Sequence, residues 1–125
     1  MDGVAGPIFV FADDGLNVFR DVGAVLGDVE APDVEDGVYE AIFTVAGEVI
    51  EAETSGRDVA LRPTGRIDLA ELRRRVRESA HRFRSDPEDL NAVARELLQA
   101  EWEARWPKRP RWLDRRLHGT DRPTD

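Results

Sequence analysis

Two adjacent carboxylates, Asp13 and Asp14, follow the apolar run Ile8–Ala12 and precede Gly15. Paired acids at the end of a hydrophobic strand can hold a divalent metal or start a phosphotransfer site. The same residues can also form a turn. An Asp-Gly step between two apolar runs predicts a hairpin bend, because Gly supplies positive φ at no steric cost. The second run, Leu16–Phe19, then returns as a strand.

The residues around the pair decide against phosphotransfer. The haloacid dehalogenase pattern ends its strand in Asp-x-Asp-Gly, with the first Asp as nucleophile. Aligned on Gly15, that position is Ala12, and nucleophilic catalysis needs its nucleophile. Other catalytic and cofactor chemistry lacks residues in the right pattern. With no cysteine, disulfides, thiolate metal sites and cysteine catalysis are excluded. His81 and His118 belong to no His-x₃-His pair and have no Glu four residues on, and no Ser-His-Asp set stands out. The glycines show neither dinucleotide nor P-loop spacing. The expectation is a non-enzyme with no metal and no cofactor.

Charge is the stronger signal. Residues 1–65 hold fourteen acids and three basic residues, a net of −11, whereas residues 66–125 hold twelve acids and fifteen basic residues, a net of +3. Such polarity biases which partners a surface meets and how fast. The acids placed at expected turns and on an expected solvent face are Asp13, Asp14, Glu35, Asp36, Glu51 and Glu53. They are the candidate partner-binding residues, directed at a basic protein surface. The bland alternative is a solvated acidic face.

The elements that would position them follow from periodicity. Asp21 is placed to cap a short helix to about Val29, with Val22, Val25, Leu26 and Val29 on one face. Pro32, Asp33, Asp36 and Gly37 predict a loop. Val38–Val45 alternates, with Tyr39, Ala41, Phe43 and Val45 on one side. Ala46-Gly47 turns the chain into Glu48–Thr54, and Val59 and Leu61 mark a short last strand. In the second half, Leu69, Leu72, Val76, Ala80 and Phe83 recur at helical spacing behind an Asp68 cap. Ser85-Asp86-Pro87-Glu88 predicts the start of another helix, with the stripe Leu90, Val93, Ala94, Leu97, Leu98, Trp102 and Trp106. The fold class expected is α+β: an antiparallel sheet built from a β-hairpin, a short helix and a three-stranded meander, with two C-terminal helices packed on one face. Residues 1–106 form one domain, strand-rich to 65 and helical from 66. Residues 107–125 form a basic Pro/Arg/Trp extension.

Residues 102–119 combine Arg, Lys and Trp, which suits phosphate neutralisation and base stacking. The acidic chain as a whole makes nucleic acid the lesser expectation. Trp102, Trp106 and Trp112 are candidate interface residues, and the Leu90–Trp106 stripe could join copies of the chain. No run approaches a membrane span and no basic-then-apolar leader opens the sequence, so a cytoplasmic protein is expected.

About residues 8–84 resemble small bacterial α+β immunity proteins of polymorphic toxin systems. The resemblance rests on "IFVFADDGLNVF", the short helix after it, and "VEAPDVEDGVYEAIFTVAGEVIEAE". Its points are Asp14-Gly15, Asp33-Val34 before Gly37-Val38-Tyr39, and Gly47-Glu48. It implies a protein that binds and blocks a cognate toxin without catalysis. Residues from Ser85 onward lie outside it.

Overall fold

The computed structural model describes residues 6–105. Strands β1 (Ile8–Ala12), β2 (Gly15–Phe19), β3 (Tyr39–Thr44), β4 (Glu48–Ser55) and β5 (Asp58–Ile67) form one sheet in the order β2-β1-β3-β4-β5. Every pairing is antiparallel. Helices α1 (Val22–Asp28) and α2 (Ala31–Glu35) link β2 to β3, and α3 (Leu69–Glu78) and α4 (Leu90–Arg105) follow the sheet. The α+β expectation and the packing of the last two helices on the sheet hold.

Strand β1 explains the layering. It lies between β2 and β3, and its side chains alternate between two separate cores. Phe9 and Phe11 join Leu16, Val18, Phe43 and the α3–α4 residues Leu72, Val76, Leu90 and Val93. Ile8 and Val10 join Ile42, Ile50, Leu61 and the α1 residue Val25. The chain leaves β2 at the edge and re-enters beside β1, so its connection must pass over β1. Helices α1 and α2 make that crossing and cover the second face. The unbroken apolar run of β1 is the sequence mark of a strand buried on both sides.

The Asp21 side chain caps α1 by accepting from Ala24 N at 2.9 Å. Within α1, Val25 is buried while Leu26 is 37% exposed, off the face expected for it. The expected loop at 32–37 instead begins as α2. Pro32 sits in its first turn, where a missing N–H costs nothing, and Gly37 follows the helix at φ +74°. The alternation expected in β3 breaks at its start. Phe11 pairs with Ala41 but Ala12 pairs with Tyr39, so Glu40 is an extra residue. This bulge turns Tyr39 to the α1–α2 core, while Ala41 and Phe43 stay with α3–α4. Strand β5 is ten residues long rather than short. It accommodates Pro63 and Gly65 because it is the sheet edge and carries an irregularity opposite Glu48–Ile50.

The joint between α3 and α4 also differs from expectation. Helix α3 stops at Glu78, and a 3₁₀ turn, Ala80–Arg82, leads to Phe83. Ser85 does not begin α4. Asp89 does, with its carboxylate accepting from Ala92 N at 3.1 Å. Ser85 is instead held by Glu96, whose carboxylate accepts from Ser85 Oγ at 2.7 Å, Ser85 N at 2.8 Å and Arg84 N at 2.8 Å. The Ser85 hydroxyl, followed by the Arg84 amide, holds the Glu96 carboxyl below the usual range, against the effect of burial. A depressed folded pKa contributes stability that is present above the unfolded value, ~4.3, and is lost as pH falls through the folded value. Glu96→Ala should cost about 1–2 kcal/mol at neutral pH, the scale of charge-assisted bonds in a half-exposed setting. Urea titrations of wild type and Glu96→Gln should differ most at neutral pH and converge in acid. A gap of undiminished size in strong acid would show that the charge is not the source.

Candidate protein-binding surface

Four of the six candidate acids come together. Asp13 and Asp14 form the β1–β2 bend, and Glu35 and Asp36 end α2 just before β3. Asp13 N donates to the Val38 carbonyl at 3.1 Å, which ties the bend to the segment after Asp36. All four side chains are exposed. Asp13 and Asp14 keep negative φ and Gly15 alone is positive, at +117°, so the bend is not the type I′ turn that Asp-Gly suggests. Arg82 braces it from the α3–α4 side, with Nη1 donating to the Asp14 carbonyl at 3.1 Å. A Cβ at residue 15 would lie 1.9 Å from that nitrogen, so Gly15 serves the approach of Arg82 as well as the bend.

Three further acids, missed in the sequence, extend this rim. Tyr39 marks them. Its hydroxyl titrates above the ordinary phenol range, first through burial, then through Asp33 and Asp28, with Glu30 contributing less. A hydrogen bond with the Glu30 backbone opposes the shift. The α1–α2 corner therefore gathers Asp28, Glu30 and Asp33 around Tyr39, and Ala12, the residue before Asp13, pairs with Tyr39. The available signal was acid density: residues 27–37 contain five carboxylates.

Glu51 and Glu53 stand apart. Ile50 and Ala52 belong to the α1–α2 core, so the alternate residues Glu51 and Glu53 project from the opposite face. Both bind Arg62 of β5: its Nε donates to Glu53 Oε1 at 2.6 Å and its Nη2 donates to Glu51 Oε2. These exposed bonds raise the Arg62 pKa above its usual value. A cation already sits on this pair.

The arginines of α3 are likewise engaged within the fold. Arg74 meets Glu71 and Glu78, each at 2.7 Å, and Arg75 meets Glu71 at 2.9 Å and Glu40 at 3.4 Å. The Arg75 guanidinium also lies 5.6 Å from the Phe11 ring centroid. Arg73 donates to the Glu88 carbonyl at 2.9 Å, and Arg77 pairs with the Glu88 carboxylate at 3.3 Å.

No protein-family model, curated protein or solved structure matches this chain.

At the other end of β3 lies a cavity of about 510 Å³. Val45, Ala46, Leu69 and Leu90 form its apolar side, and Asp86, Glu88 and Asp89 approach from the α3–α4 joint. Among the described residues, no three His, Cys, Asp or Glu side chains converge as metal ligands, and no helix is long and apolar enough to cross a membrane. His81 is exposed on the 3₁₀ turn. Trp102 is half-buried on α4. Trp106, Trp112 and His118 lie outside the described residues, as does the 107–125 extension.

Proposed function

We propose that this is a non-catalytic protein-binding domain that uses its acidic rim to engage a basic protein surface, in the manner of an immunity protein neutralising a cognate toxin. The observation that carries the reading is the meeting of Asp13, Asp14, Glu35 and Asp36 at one end of the sheet, joined by Asp13 N to Val38 O. Asp28, Glu30 and Asp33 enlarge the same negative region. Acids spaced along the chain become one field, and a basic cleft would be drawn to it before any contact forms. The rim rests on a bend and helix ends fixed to a two-sided core, so little ordering cost accompanies association.

Co-expression with the product of the adjacent gene tests the reading. A co-purifying complex that dissociates more readily as salt rises, together with relief of that product's toxicity, is the expected result. Absence of both complex and protection would refute it.

A further inference from the structure

Arg82 places a cation against the bend of the acidic rim, and its contacts differ from those of the paired arginines. Arg62, Arg74, Arg75 and Arg77 each meet a carboxylate of this chain. Arg82 instead bonds a backbone carbonyl, that of Asp14, through Nη1 at 3.1 Å. Among the described residues no carboxylate pairs with its guanidinium. The group is nonetheless held in place. Arg82 N donates to the Ser79 carbonyl at 3.0 Å in the 3₁₀ turn, and Phe83, the next residue, is buried in the α3–α4 core. A Cβ at residue 15 would lie 3.2 Å from Arg82 Cζ and 3.7 Å from Cδ, so the side chain runs along the bend where only glycine leaves room. Arg82 is exposed there. Its bond to Asp14 uses Nη1, and the Nε–Nη2 edge is the side-on fork that matches the two oxygens of a carboxylate.

We propose that Arg82 is the specificity-determining residue of the rim, and that its Nε–Nη2 fork takes an Asp or Glu side chain of the partner. This rests on the rim engaging a basic protein, as proposed above, and adds what that protein must carry. A cation fixed beside Asp13 and Asp14 repels a uniformly basic surface, and a like charge brought against it on docking has a cost. A basic surface with a carboxylate set among its cations replaces that cost with a charge-assisted pair. Repulsion of the one surface and attraction of the other then arise from the same group, which is how an interface discriminates between partners of similar overall charge. Because the guanidinium already lies over Gly15, little side-chain freedom is lost when the pair forms.

Stopped-flow kinetics with the product of the adjacent gene supply the test. Arg82→Gln should speed dissociation by ~10-fold or more, the low end of the couplings measured between close charge pairs across an interface. Association should not slow, since the variant removes a cation from an acidic rim. Each Asp on the partner's surface is then replaced by Asn and each Glu by Gln, and each variant is measured against wild type and against Arg82→Gln. One of these replacements should speed dissociation as Arg82→Gln does, and should add nothing when combined with it. That effect arises with this chain unaltered, so it does not depend on how Arg82→Gln folds. Unchanged or slower dissociation of Arg82→Gln, or losses that add for every partner acid, would overturn the proposal and leave the binding function standing. A wild-type chain that forms no complex would remove both.

Discussion

Gly47→Ala is expected to lower unfolding free energy by about 3 kcal/mol, the sum of a backbone and a steric cost. Gly47 occupies the β3–β4 turn at φ +88°, where a side chain is strained in any surroundings. Its N–H donates to the Thr44 carbonyl at 2.9 Å, and its carbonyl accepts from Asp68 N at 2.8 Å. These bonds tie the turn to the N-cap of α3. A Cβ there would lie 2.8 Å from Leu69 Cα and 3.0 Å from Leu69 N. Those are backbone atoms in the first turn of α3, so they cannot rotate away as the end of a side chain could. Relief requires moving a helix whose Leu72 and Val76 are fully buried. Gly56→Ala is the matched control. Gly56 has φ +63° but no heavy atom within 4 Å of an added Cβ, so only the backbone term applies, about 1 kcal/mol. Urea midpoints with unchanged slopes measure both. Equal losses at the two positions would remove the steric account. For a domain with a total stability of order 5–15 kcal/mol, the Gly47 loss is a large fraction.

Local sequence encodes some of these features and leaves others to the tertiary fold. Asp21, Asp68 and the β1 run were legible because caps and burial periodicity depend on residues close in sequence. Glu71–Arg75 and Arg74–Glu78 likewise stand four residues apart on one helix, a spacing that local sequence sets. Alternation alone puts Tyr39 on the Ala41 face, and the Glu40 bulge that turns it away is defined against β1, a partner distant in sequence. Pro63 and Gly65 argue against a strand locally, and only the edge position of β5 makes them acceptable. Ser85 has the composition of a helix cap, but Glu96 captures its N–H and hydroxyl from across the joint. The rim was half legible. Its acids could be named individually, but their meeting depends on Asp13 N bonding Val38 O across 25 residues. The role of Arg62 in engaging Glu51 and Glu53 likewise required the β4–β5 register, which sets Glu51 opposite Arg62.

That division of the six acids predicts which of them govern association. Replacing Asp13, Asp14 and Asp36 by Asn and Glu35 by Gln removes four exposed charges from one rim. The association rate with the basic partner recovered by co-expression should fall by ~10–100-fold at low salt, because steering depends on the summed field at the site of encounter. The difference should narrow as salt shortens the screening distance to ~8 Å at physiological ionic strength. Dissociation should change less, since exposed rim charges act mainly before contact. Glu51→Gln with Glu53→Gln provides the contrast. It removes two acids but also releases Arg62, whose guanidinium both carboxylates now hold. That patch passes from a net −1 to +1, but it lies away from the rim, so screening limits what the change does to the field at the site of encounter and the rate should remain close to wild type. Stopped-flow measurements across a salt series distinguish the two sets. Equal rate losses per charge removed would indicate a response to total charge alone. A larger loss from the β4 pair would move the binding surface to the opposite face of the sheet.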